Sequence, residues 1–253
     1  MIDKKIMENN NVKGMRISKA LARAGLCSRR EAERWVRAGR VSVGSRTLRD
    51  PAFNVIDTDV ILIDGLQIPA IEPTRLWRYH KPPGLITSNT DPDGRPTVFD
   101  KFPEGFPRVI SVGRLDINSE GLLLLTNDGN LARRMELPRM GWSRRYRVRV
   151  YGQLDQKRLD SLKNGITISG IHYAPLDVRI ESKMGRNSWL EVILKEGKNR
   201  EIRNIMSELD LRVSRLIRTA FGPFQLGKLS RGGIIEIPPK ALRENLNIYV
   251  KKN

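Results

Sequence analysis

Four consecutive leucines, Leu122 to Leu125, stand between the polar stretch "DINSEG" and Asn127-Asp128-Gly129. A run that short cannot make a helix of its own and reads as a strand buried on both faces, closed by turn chemistry. The polar residues ahead of it then form a loop at the edge of a rigid element, a good place to fix a reactive side chain. Asp116 lies in that loop, within "SVGRLDINSEGLLLLTNDG". Physical chemistry alone leaves it three readings: a reactive carboxylate, a turn-capping aspartate, or a partner for Arg114.

The chain has 253 residues and 39% hydrophobic content, enough for one large domain or for a small and a medium one. No uninterrupted apolar run exceeds four residues, far short of a membrane span, and "MIDKKIMENNNVKG" lacks the apolar region of a signal peptide. A cytoplasmic protein is expected. Cys27 is the single cysteine, which excludes an internal disulfide, and with only His80 and His172 no zinc site of the usual Cys/His kind can form. Neither histidine has the partners of a hydrolytic triad, so both read as structural or surface residues. Chemistry is left to carboxylates, hydroxyls and basic groups.

The 46 Lys and Arg outnumber the 28 Asp and Glu, a formal net charge of +18. A polyanion is the natural partner. The charge is uneven: residues 1–50 hold 13 basic and 5 acidic side chains, whereas residues 51–100 hold 4 and 7. Within the basic end, "RISKALARAG" places Ile17, Leu21 and Ala24 on one helical face and stops at Gly25. "SRREAERWVRAGR" opens with Ser28 three residues before Glu31, a capping box, and stops at Gly39. Ala32, Trp35 and Val36 face inward on this second helix, leaving Arg29, Arg30, Glu33, Arg34 and Arg37 outward. Alternating "VSV", a Gly44-Ser45 turn and the strand "VILI" follow. This helix, helix, strand order resembles an S4 domain, a small RNA-binding module. The resemblance implies phosphate contacts from Lys19, Arg29, Arg30, Arg34 and Arg37.

The predicted domains are a disordered tail at residues 1–14, the S4-like module at 15–70, a linker at 71–76 and a larger domain at 77–250. In the last, short strands ("RLWRYH", "RYRVRVYG", "SWLEVILKEG", "GIIEIP") mix with helices near "NLARRMEL", "DQKRLDSLKNG" and "NREIRNIMSELD". They do not alternate strictly, so an α+β class with a mixed, mostly antiparallel sheet is expected. In "RYRVRV", Tyr146, Val148 and Val150 share one face and Arg145, Arg147 and Arg149 the other.

"GRLDINSEGLLLLTNDG" closely resembles the catalytic motif of the RsuA-type pseudouridine synthases. "YHKPPGLITSNTDPDGRPTVFD" is similar to that family's first motif, with its lysine, proline and glycine at Lys81, Pro82 and Gly84. "RYRVRV" and "EGKNREIRNIM" match two more. The resemblance covers about residues 15–246, and "TDPDGRPTVFD" and "GRLDINSEGLLL" look most like the RluB-type branch that acts on large-subunit ribosomal RNA. It implies Asp116 as the catalytic residue, Tyr146 as an active-site tyrosine able to stack on an extruded uracil, and Arg203 as an arginine near the aspartate that favours its ionised form. Arg114, a weaker match, would hold flanking backbone in place of the displaced nucleotide. The implied reaction detaches uracil from its ribose and rejoins it through C5, with no cofactor and no metal. The implied partner is ribosomal RNA, 23S rather than 16S, or a subunit precursor, met by a monomer with no membrane role. Two rivals stand beside this reading: a non-catalytic S4-type assembly factor, and a metal-dependent nuclease built on Asp91, Asp93, Asp116 and Asp128.

Overall fold

The computed structural model describes residues 14–137 and 140–246. The expected disordered tail, apart from Gly14, and residues 247–250 of the larger domain lie outside the described residues. The chain divides into two compact units, Met1–Pro73 and Thr74–Asn253.

In the first unit, β1 (Met15–Arg16) leads into α1 (Ile17–Arg23), and α2 (Arg29–Arg37) follows a tight turn at Gly25. Ser28 Oγ accepts the Glu31 amide at 3.1 Å and caps α2. The Glu31 carboxylate turns to Arg34, one turn on, in an ion pair. The remaining strands are β2 (Val41–Val43), β3 (Arg46–Thr47), β4 (Asn54–Val55), β5 (Ile61–Ile63) and β6 (Leu66–Gln67). β3-β2-β5-β6 form an antiparallel sheet and β4 pairs with β1. Ile17, Leu21, Ala32, Val36, Val41 and Ile61 share one core, so the inward residues of the helices meet those of the strands.

The second unit runs β7 (Leu76–Lys81), β8 (Ile110–Val112), β9 (Glu120–Thr126), α3 (Gly129–Glu136), β10 (Arg144–Tyr151), α4 (Gln156–Ser161), β11 (Ile166–Ile168) and β12 (Ile171–Tyr173). It continues with β13 (Leu176–Met184), β14 (Asn187–Leu194), α5 (Glu201–Glu208), β15 (Arg212–Phe221), β16 (Phe224–Gln225), β17 (Ile234–Glu236) and α6 (Pro239–Leu246). A nine-stranded sheet has the order β13-β14-β10-β15-β9-β7-β17, with β16 on β15 and β8 on β9. β9 and β15 pair in parallel; the other described pairs of this sheet are antiparallel. The fold is α+β, with a mostly antiparallel sheet.

β9 is buried at all seven positions and separates two cores. Leu123 and Leu125 join Tyr146, Val148, Ile205 and Met206 on one side, while Leu122 and Leu124 join Leu131, Met135, Phe221 and Leu242 on the other. Period-two alternation within an all-apolar run therefore feeds both layers. Asn127-Asp128-Gly129 departs from the simple turn expected of it. Asp128 is the N-cap of α3 and accepts the Asn130 and Leu131 amides at 2.8 and 3.4 Å, so helix capping takes the place of a plain turn.

At the start of β9 the backbone of Gly121, with φ +104°, lies against that of Arg218. A Cβ there would fall 2.3 Å from the Arg218 carbonyl oxygen. Both the dihedral and the contact require glycine. Gly121→Ala should destabilise the protein by at least about 3 kcal/mol, combining positive-φ strain with displacement of a buried strand. Urea unfolding measures this; a loss below about 1 kcal/mol would show that the β9–β15 contact relaxes freely.

Candidate active site

Asp116 lies in the loop between β8 and β9, and the loop is fastened by the segment that begins at the end of β7. The Lys81 ammonium, 0% exposed, donates to the carbonyl oxygens of Pro82, Ile117 and Ser119 at 3.0, 3.2 and 2.8 Å. The Gly84 amide donates to Ile117 O at 2.7 Å, and Thr87 Oγ1 to Leu115 O at 3.0 Å. Asp116 O accepts the Ser119 amide at 3.0 Å. The carbonyls at 115, 117 and 119 are thus tied down, while the Asp116 side chain remains 30% exposed.

Two guanidiniums flank its carboxylate. Arg203 Nε and Arg200 Nη1 each lie 3.9 Å from Asp116 Oδ2. Arg203 projects from α5, whose Ile202, Ile205 and Met206 are buried. Its Nη2 and Nη1 donate to Asn118 O and Val213 O at 3.2 and 3.4 Å. Burial and the nearby Arg200 lower its pKa against the pull of Asp116. Arg200 precedes the helix in the left-handed conformation, φ 49° and ψ 28°, uncommon for a residue with a Cβ. That turn of the backbone accompanies the convergence of two arginines, three residues apart, on one carboxylate.

A cavity of about 430 Å³ opens beside Asp116, lined also by Arg114, Arg144, Tyr146, Glu201 and Arg218. An overlapping, more open cleft of about 720 Å³ includes Thr87 and Ser111. Tyr146 is 9% exposed on the inward face of β10, and Arg145, Arg147 and Arg149 are exposed on the other, matching the alternation of the sequence. Arg114 is exposed at the cavity margin, next to Gly113, whose amide donates to Glu136 at 2.7 Å.

Of the residues expected from sequence, Asp116, Tyr146 and Arg114 share one cavity and Arg203 approaches the first of them. Lys19, Arg29, Arg30, Arg34 and Arg37 belong to the other compact unit. There Lys19 is half-buried and the four arginines are exposed; Arg34 and Arg37 pair with Glu31 and Glu33. Arg200, Arg144, Arg218 and Glu201 carry no expectation from sequence, and Lys81 carries one only as a motif residue without a task. The run "KEGKNR", dense in charge between a strand and a helix, is the available signal for Arg200. Two aspartates of the nuclease reading are engaged elsewhere: Asp91 holds Arg95 through both oxygens at 2.7 and 2.9 Å, and Asp128 caps α3. Among the described residues no three His, Cys, Asp or Glu are grouped so as to hold a metal.

A carboxylate flanked by two arginines at a cavity, on a chain that also carries a basic two-helix module, defines an enzyme built for a polyanionic substrate. The model of a family described as RNA pseudouridylate synthase matches residues 75–208, and that of the S4 domain matches residues 15–61. An uncharacterized RNA pseudouridine synthase of Rickettsia felis is 46% identical over 229 residues, 90% of this chain and 99% of the relative. Ribosomal large subunit pseudouridine synthase B of Pasteurella multocida is 42% identical over 238 residues, 91% of this chain and 69% of the relative. A crystal structure of a pseudouridylate synthase shares the fold, with a TM-score of 0.65 at 22% identity, covering 92% of this chain and 99% of that one. The chain belongs to the RNA pseudouridylate synthase family, and it is an isomerase with an S4 domain.

Glu201, in the cavity wall, supplies a titration that can be followed. It is 4% exposed, accepts the Lys198 amide at 2.8 Å and lies beside the Glu196 carboxylate, and burial pushes its pKa up from 4.5 to about 7. The folded state therefore holds a proton that the unfolded chain releases. Its contribution to stability is full below pH 4.5 and is lost as pH rises through about 7. Glu196 is held below its ordinary value and acts on the acid side of that window. Urea unfolding of Glu201→Gln should show a flatter stability profile between about pH 5 and 7 than the wild type, by on the order of 2 kcal/mol. Parallel profiles would mean that the carboxyl ionises normally.

Proposed function

We propose that this protein isomerises a uridine of large-subunit ribosomal RNA to pseudouridine, with Asp116 as the catalytic carboxylate and no cofactor. The observation that carries the reading is the position of Asp116. It sits on a loop tied down at three carbonyls, between two arginines, at the wall of a cavity that also holds Tyr146. Relatives from Pasteurella multocida and Salmonella typhi, 42% and 43% identical, bear the name ribosomal large subunit pseudouridine synthase B. Their name supports 23S rather than 16S RNA, or a precursor particle containing it.

In this reading a uridine leaves its stack, its base entering against Tyr146 and its ribose approaching Asp116. Arg203 orients the carboxylate and keeps the aspartate loop in place through Asn118 O. Arg114, exposed at the margin, holds flanking backbone. The S4-like module expected at 15–70, within the first unit, supplies sequence-independent phosphate contacts through Lys19, Arg29, Arg30, Arg34 and Arg37. The boundary between the units, after Pro73, falls inside the linker expected at 71–76, and β7 of the catalytic unit begins at Leu76. The enzyme acts as a cytoplasmic monomer; among the described residues no helix is long and apolar enough to cross a membrane.

Two measurements test this. With ribosomal RNA carrying 5-tritiated uridine, the wild type should release tritium in excess EDTA and Asp116→Ala should be slower by at least about 10³-fold, because a new bond at C5 expels the label. Tight binding without release from any ribosomal RNA or subunit precursor would instead favour the assembly-factor reading. For the first unit, Arg30 is exposed and has no ion pair among the described residues. Arg30→Ala should therefore reduce the slope of log affinity against log salt by roughly 0.9 on a duplex substrate. An unchanged slope would remove Arg30 from the RNA face.

A further inference from the structure

Arg218 is a charged residue of the cavity wall that the chemistry above leaves unused. It lies on β15, 3% exposed, and its Cα pairs with that of Tyr146 across the β10–β15 ladder. Its Nε donates to Leu122 O at 2.7 Å, and its Nη2 is buried with no hydrogen-bond partner. Among the described residues no carboxylate forms an ion pair with it. The guanidinium carbon stands 5.3 Å from the centre of the Phe221 ring, and that ring also receives the Arg144 guanidinium at 4.8 Å. Two cations share one aromatic ring in a cavity wall. A buried guanidinium short of acceptors is costly, and a ligand that brings an acceptor into the cavity recovers part of that cost.

We infer that Arg218 forms a subsite for the carbonyl edge of uracil and stabilises the negative charge the base acquires as it leaves the ribose. The inference rests on the proposed function and deepens it. The N1–C1′ bond breaks and its electron pair stays with the base, spread over N1 and the carbonyl oxygens. The base then returns a pair through C5 to make the C5–C1′ bond, C5 releases its proton and N1 takes one up. Atoms and charge balance without a co-reactant. Between those two events the base is at its most negative, and a fixed cation at its edge binds that state more strongly than neutral uracil. A backbone phosphate is the poorer occupant. An extruded nucleotide carries its base deepest and its phosphates near the opening, where the exposed side chains of Arg114 and Arg200 lie.

The departing base can be varied to test this. Fluorine at C5 makes the uracil anion more stable, so its departure needs less help from the protein. Single-turnover rates and Kd are measured on RNA with uridine or 5-fluorouridine at the target position, for the wild type, Arg218→Met and Arg218→Lys. Arg218→Met should slow loss of uridine about 100-fold and loss of 5-fluorouridine about tenfold or less, with Kd changed by less than about threefold. Equal losses on both substrates, or a loss confined to Kd, would overturn the inference and make Arg218 a structural or phosphate-binding residue. Should circular dichroism show that Arg218→Met does not fold, Arg218→Lys is read in its place. A larger loss on uridine than on 5-fluorouridine then supports the inference, and equal losses overturn it. An inactive wild type would refute the parent reading itself, an outcome distinct from an active wild type whose variants lose both substrates equally.

Discussion

The site depends on a buried charge. Lys81 has three ammonium hydrogens and three acceptors, the carbonyls of Pro82, Ile117 and Ser119. Burial draws its pKa down to about 8 while Asp116 and Glu120 pull the other way, so near neutral pH the ammonium is mostly charged. A charge at that depth is tolerable only while the carbonyls stay on it. Movement of the aspartate loop would bare the ammonium, and that cost keeps Asp116 at one place in the cavity. Glu120, the first residue of β9, is anchored too. Burial pushes its carboxyl up, and Arg215 and Arg231 more than reverse the effect. The loop therefore enters β9 between a buried cation and a buried anion, each satisfied by a different part of the chain.

The same balance of charge runs through the opposite wall. Glu201 occupies the first turn of α5, where the helix dipole favours an ionised carboxylate, yet burial and the neighbouring Glu196 win and raise its pKa to about 7. Among the described residues neither glutamate forms an ion pair with Arg200 or Arg203. Glu196 remains the ionised partner through Lys198 at 2.7 Å. Asp116 is then the carboxylate that meets both arginines, and its surroundings stay positive enough to receive RNA.

Much of this was legible in the sequence because it is written locally. The leucine run announced a strand covered on both faces, the alternation in "RYRVRV" separated Tyr146 from its arginine neighbours, and Ser28 marked the start of α2. What stayed hidden depends on pairings between distant segments. β15 carries arginine at every third position, Arg212, Arg215 and Arg218, and gives no sign that Arg218 would turn inward opposite Tyr146, because that is fixed by a bulged register with β10 and a parallel contact with β9. Arg200 carries no expectation from sequence, since a left-handed backbone at a non-glycine position has no sequence signature. Lys81 is marked by its motif, but its task is not, because the carbonyls that hold it belong to a loop 36 and 38 residues further along the chain.

Those hidden residues also account for how one carboxylate suffices in the proposed reaction. Breaking the bond between uracil and ribose separates charge in two directions, electrons toward the base and a deficit at the sugar. A site with one carboxylate between two guanidiniums, and the further guanidiniums of Arg144 and Arg218 in the same cavity wall, is matched to both ends of that separation. Because the base returns through another of its own atoms, the only exchange in the proposed reaction is a proton lost at C5 and one gained at N1, and the protein has to hold the two fragments together and keep water from the sugar. Rigidity is the main requirement for that task. It is supplied by a strand with both faces in hydrophobic cores and by a loop that cannot move without exposing an ammonium ion to an apolar interior.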